Sequence, residues 1–280
     1  MNPVVVQLNL IDPPPLAFEP TRVNGFLNDS IPPGRIGDRI PVVTSEALSG
    51  NMFCGGYNGK ELSDRLRQVF PEGRILIIVR EQRTMLRSLY SSFISWGMPH
   101  SIDRYLNPVD GRKVPQYNPS YLQYDRLVTY YFRLFGERNV LVLCFEQFAE
   151  NPKRFVRSIC DFSKNAAFSQ NALDSLPFDK RVNKGRILMN LMLQRWLNYF
   201  FVANGFNYSG LFKDTSATAR KRLNACKRRN DLFPRFMHNW FEKTFEKKII
   251  EKTKGLFGES NRNLSQIMKV DLASYGYDVQ

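Results

Sequence analysis

Two runs of this chain, Arg74 to Val79 and Asn139 to Phe145, are apolar at nearly every position and rich in β-branched residues. A strand with one face in water alternates polar and apolar side chains. A strand without that alternation is covered on both faces, which suits the interior of a parallel sheet. Segments of helical period surround both runs. From Lys60 to Phe70 the apolar positions Leu62, Leu66, Val69 and Phe70 recur at helical spacing, and Pro71-Glu72-Gly73 stops the helix. A second helix is predicted from about Gln82 to Trp96, directly after the first run. Asn118 to Phe135 reads as a third, ended by Gly136. Asn151-Pro152 opens a fourth that reaches about Phe162, with Pro at the first helical position. Strands alternating with helices predict an α/β fold, a mainly parallel sheet flanked by helices.

The two ends read differently. Residues 1–40 are expected to be an irregular N-terminal segment. Val4 to Val6 suits a short strand, but Pro13-Pro14-Pro15 and Pro32-Pro33-Gly34 break regular structure. Pro41 to Thr44 predicts another short strand, and Ser45 to Gly50 the turn leaving it. From about residue 180 onward, Gly185 to Phe201 and Trp240 to Phe257 predict helical C-terminal additions. In this reading residues 41–280 form one domain, and a hydrophobic content of 43% supplies its core.

Composition narrows the functional classes. No apolar run approaches the ~20 residues of a membrane helix. The N-terminus lacks the basic region and apolar core of a signal peptide. Cys54, Cys144, Cys160 and Cys226 form no CxxC pair, so buried free thiols in a reducing cytoplasm are expected. His100 and His238 have no carboxylate or thiolate at ligand spacing, so no metal site is expected. The formal net charge of +14 favours an anionic partner: nucleic acid, a membrane surface, or a phosphorylated cofactor with an acidic substrate. No helix-turn-helix, zinc-finger or RNA-recognition signature supports the first. More than half of the excess lies between Lys213 and Lys254, where 13 Lys and Arg accompany 5 Asp and Glu. A solvated helical face explains that stretch equally well.

The stretch RILIIVREQRTMLRSLYSSFISWG, Arg74 to Gly97, is the most informative. An apolar strand delivers Arg80 to its carboxyl end, where ligands of parallel α/β sheets bind. A helix starting there favours an anion through its N–H groups and dipole. Arg80 suits bidentate pairing with a phosphate, and Ser88, two turns on, can donate to the same group. Arg83 and Arg87 add field. A structural ion pair at Arg80 is the plain alternative.

These residues resemble the 3′-phosphate-binding strand and helix of sulfotransferases that use 3′-phosphoadenosine 5′-phosphosulfate (PAPS). The pattern there is an Arg at the strand end, a Ser eight positions later and then a Tyr, here Arg80, Ser88 and Tyr90. Other segments are similar to the bacterial branch of the family: SEALSGNMFCGGYNGKELSDRLRQVFPEGRILIIVREQR, NVLVLCFEQFAENPKRFVRSICDF, RVNKGRILMNLMLQRWLN and SNRNLSQIMKVDLASYGYDV. The likeness runs from about residue 41 to the end. It implies a P-loop-like core and an enzyme moving a sulfuryl group from PAPS to a hydroxyl or amine, with a carbohydrate acceptor foremost. Residue by residue, it makes Arg80 and Ser88 ligands of the 3′-phosphate and Glu46 the general base. Ala47 follows Glu46, where relatives often carry Lys, and a plain helix-start carboxylate is the alternative. It places Lys184, Gly185 and Arg186, within Arg181 to Arg186, in a loop closing over the nucleotide; a plain basic loop is the alternative. Glu146 is expected to organise the sheet end. Trp96, Gly97, Met98 and the loop from Pro99 to Tyr117 are candidates for the acceptor cleft.

One family element is not found. Residues 1–45 hold no GxxxxGK[ST] and no Lys-x-Gly-Thr-Thr, the loop type that cradles a 5′-phosphosulfate. Losing even one preorganised donor typically costs about 10²–10³ in rate. A lost central strand would also expose two sheet edges. Three explanations fit: the true start lies upstream, the chain has lost catalysis, or the loop takes an unrecognised form. The first fits best, and turnover is expected only once an upstream strand, loop and helix are restored. A non-catalytic nucleotide- or glycan-binding relative, and a basic nucleic-acid-binding protein, are the competing readings.

Overall fold

A computed structural model describes residues 6–30, 40–107, 116–165, 168–178, 187–202, 207, 211–213, 221 and 235–280. The two apolar runs form β1 (Ile75–Val79) and β2 (Val140–Cys144), paired in parallel from Ile75 opposite Val140 to Val79 opposite Cys144. A minimal second pair, β3 (Phe201–Val202) and β4 (Phe212–Lys213), is also parallel. In chain order the α-helices among the described residues are α1 (Pro20–Ser30), α2 (Gly59–Val69), α3 (Gln82–Ser95), α4 (Ile102–Leu106), α5 (Tyr124–Phe135), α6 (Phe145–Glu150), α7 (Pro152–Ser163), α8 (Gln170–Asp174), α9 (Leu188–Leu197), α10 (Arg235–Thr253) and α11 (Gly258–Met268). This is a helix-rich α/β arrangement with a small parallel sheet.

The chain divides into two compact units. The first comprises Met1–Glu81, Ser120–Lys180 and Phe257–Gln280; the second comprises Gln82–Pro119 and Arg181–Leu256.

In the first unit, Val6, Leu10, Val23, Leu66, Val69, Tyr131, Phe135 and Val140 form a buried cluster, and Ile75, Ile77 and Val142 pack against it. Side chains alternate across a strand, so Leu76 and Ile78 point away from that cluster. They are 39% and 49% exposed, which corrects the expectation of a strand covered on both faces. β1 and β2 hydrogen-bond directly to each other, with no strand between them. Residues 7–30 also depart from the expected irregular chain. They hold a π-helical turn (Gln7–Ile11), a 3₁₀ turn (Pro15–Ala17) and α1. Pro15 and Pro20 open their helical segments, where a missing N–H is harmless. Val4 and Val5 lie outside the described residues, and Val6 is buried in helical conformation. Pro41 to Thr44 is not a strand; it pairs with nothing among the described residues, and Val42 is 68% exposed.

Arg65 fastens the N-terminal segment to α2. Its buried guanidinium donates to the carbonyls of Leu10 (2.8 Å), Ile11 (3.1 Å) and Pro13 (2.5 Å), groups that the end of the π-helical turn leaves without helical partners. It also pairs with Glu61 and stacks on Phe18. The loop before α2 turns on Gly50, whose φ is +106° and whose missing Cβ would lie 2.9 Å from Gly56 Cα.

In the second unit α3 carries Tyr90, Phe93 and Ile94 into an aromatic core with Tyr105, Tyr117 and Phe245. The Tyr105 ring is 4.4 Å from Tyr117 and 4.5 Å from Phe93 between centroids. The carboxyl end of α3 is closed by side chains. Asn198 Nδ2 donates to Ile94 O (2.8 Å) and Met98 O (3.0 Å), and Asn207 Nδ2 donates to Gly97 O (2.7 Å). Trp96, Trp196 and Trp240, all in this unit, are exposed.

Candidate functional site

Because β1 and β2 run parallel, their carboxyl ends lie side by side in the first unit. Arg80 leaves β1 there, and Phe145 and Glu146 leave β2 as α6 begins. Arg80 is half-buried, and its guanidinium carbon lies 5.2 Å from the centroid of the Phe145 ring. At that distance the cation lies over the aromatic face.

The Glu146 carboxylate joins three chain segments. Its Oε1 accepts the backbone N–H of Glu81 at 2.9 Å, and its Oε2 accepts the hydroxyl of Tyr277 at 3.1 Å. Next to it, the Cys144 N–H donates to Gln147 Oε1 at 3.0 Å. Burial pushes the Cys144 thiol up to about 12, the Glu146 charge adds to the rise, and the Tyr277 hydroxyl offsets part of it. Burial also pushes the Tyr277 phenol well above its usual range, with Cys144 and Glu146 adding to it. The Tyr124 phenol is raised by burial and by Tyr121, and the backbone N–H of Arg80 offsets part of that rise. The arrangement is a cation on an aromatic platform, at a strand end whose backbone is held by a carboxylate. A cation at the carboxyl end of a parallel strand favours an anion there.

The other predicted residues are carried by other segments of the chain. Ser88 is exposed on α3, in the second unit, with Thr84 exposed one turn before it. Arg87 is engaged by Glu242 at 2.7 Å. Tyr90 is fully buried and donates to His100 O at 2.9 Å, so it serves the core of its unit. Glu46 is exposed at the start of a 3₁₀ turn (Glu46–Ser49), after Ser45, whose Oγ accepts the Ala47 N–H at 3.3 Å. No strand delivers it. Lys184, Gly185 and Arg186 lie outside the described residues, as do Arg181 to Asn183. Of the acceptor candidates, the Gly97 carbonyl is occupied by Asn207, Tyr117 is buried, and residues 108–115 lie outside the described residues.

Phe145 and Tyr277 were not singled out from the sequence. Phe145 ends the second apolar run, and that position beside Arg80 was its only signal. Tyr277 gave none. No group of His, Cys, Asp and Glu suited to a metal occurs among the described residues.

Residues 61–166 match a family model described as the sulfotransferase family. The match includes Arg80, Ser88, Phe145 and Glu146; Glu46, the 184–186 loop and Tyr277 fall outside it. No curated protein and no solved structure matches the chain.

Proposed function

We propose, from the match of residues 61–166 to the sulfotransferase family model, that the chain binds PAPS as sulfuryl donor through Arg80 and serves transfer to a hydroxyl or amine, a carbohydrate foremost. The observation that carries this is the placement of Arg80 at the carboxyl end of a parallel strand, stacked on Phe145. Arg80 takes the 3′-phosphate as a bidentate pair, Ser88 donates to the same phosphate, and Lys184, Gly185 and Arg186 cover the nucleotide. In the transfer the acceptor oxygen or nitrogen bonds to sulfur as the bond from sulfur to the bridging phosphate oxygen breaks. Adenosine 3′,5′-bisphosphate leaves, and the acceptor proton passes to Glu46.

Calorimetric titration with adenosine 3′,5′-bisphosphate tests the reading. Arg80→Ala is expected to weaken binding about ten- to hundredfold, the loss of a charge-assisted pair, and Ser88→Ala about three- to tenfold. Equal affinity of parent and Arg80→Ala would refute the phosphate assignment.

A further inference from the structure

We infer that Tyr277 is a positioning residue for the phosphate grip, acting through Glu146 on the backbone beside Arg80. The inference rests on the proposed role of Arg80. The contacts run in one line within the first unit. The Tyr277 hydroxyl donates to Glu146 Oε2 (3.1 Å), and Glu146 Oε1 accepts the N–H of Glu81 (2.9 Å), the residue bonded to Arg80. The phenol that starts this line sits on the last turn of the chain, which is docked rather than frayed. Tyr277 is 3% exposed, and its own N–H returns to Leu272 O at 3.2 Å. Asn261 Nδ2 holds Asp278 O at 2.7 Å, and Arg262 holds Val279 O at 2.7 Å. At Gly258 there is no room for a Cβ against the backbone of Gln280.

The chemistry explains why the connection matters. A carboxylate with one donor on each oxygen is fixed in direction, whereas one that has lost a donor turns toward water or another partner. Glu146 left free to turn no longer holds the Glu81 amide, and the Arg80 guanidinium then samples more directions before a phosphate arrives. Binding then carries the ordering cost that the clamp had removed in advance. The Phe145 ring lies against the guanidinium, and the Glu146 carboxylate holds the Glu81 amide next to the backbone from which the Arg80 side chain projects.

The experiment compares two nucleotides on the full chain. Tyr277→Phe keeps the buried ring and deletes only the hydroxyl. The readout is the preference for adenosine 3′,5′-bisphosphate over adenosine 5′-monophosphate, accompanied by hydrogen exchange at the Glu81 amide. The preference is expected to fall about three- to tenfold, the worth of one hydrogen bond, with faster exchange at Glu81. Glu146→Ala should reproduce the loss, and Glu146→Gln, which retains an acceptor for Glu81, should restore part of it. A general structural role would weaken both nucleotides alike, and that result overturns the inference, as does an unchanged preference. If the parent protein itself does not discriminate the two nucleotides, the phosphate reading is what fails, and this inference falls with it.

Discussion

Cys144 closes β2 in full burial, and its thiol holds its proton far longer than an exposed one. The direction fixes a pH dependence. The folded pKa of about 12 lies above the unfolded value of about 8.5, so the contribution to stability is complete below that lower value and is lost as pH rises toward the upper one. Thermal midpoints measured from about pH 8.5 to 11 should fall for the parent and fall less steeply for Cys144→Ala; parallel slopes would show that the thiol is not the cause. At this scale the site was partly legible. Arg80 stood out because it ends an unbroken apolar run just before a helix. Tyr277 could not stand out, because 131 residues separate it from Glu146 and nothing in its own neighbourhood marks a hydrogen bond at that distance.

Among the elements, α2 shows how one side chain fixes a segment that sequence patterns missed. Arg65 lies inside, and its guanidinium reaches three carbonyls of the N-terminal segment. Arg65→Ala should cost about 3 kcal/mol in denaturant-induced unfolding, since the carbonyls and Glu61 lose a shared buried cation. Arg65→Lys should recover only a fraction, because an ammonium cannot span that fork. A loss below about 0.5 kcal/mol, the range of ordinary surface changes, would contradict the role. The helices with strong periodicity, α2 and α7, and both long strands were readable within a residue or two. The segment at 7–30 was not, because Pro15, taken for a breaker, stands at the first position of a helical turn. Pro41 to Thr44 was misread because β-branched composition makes a strand only where a partner edge exists.

For the whole molecule, the division into two units was hidden by its position. The chain crosses between the units four times, and the first crossing, at 81/82, lies inside the strand-to-helix stretch that carries the proposed chemistry, where no linker composition marks it. The charge of +14 bears on the molecule as a whole, and its salt dependence separates two readings. A protein making several nucleic-acid phosphate contacts loses about 10³–10⁵ in affinity between about 50 and 200 mM salt. Adenosine 3′,5′-bisphosphate, held by one or two pairs, should weaken by less than about tenfold over the same range. A much steeper fall, matched by tight binding of a plain oligonucleotide, would favour the nucleic-acid reading. The described residues include no helix long and apolar enough to cross a membrane. The placement of the tryptophans governs what optical spectroscopy can report. All three indoles lie at the surface of the second unit, so intrinsic emission is red-shifted from the start and follows that unit alone. The first unit holds no tryptophan, so its unfolding must be followed through tyrosine absorbance, to which Tyr124 and Tyr277 contribute.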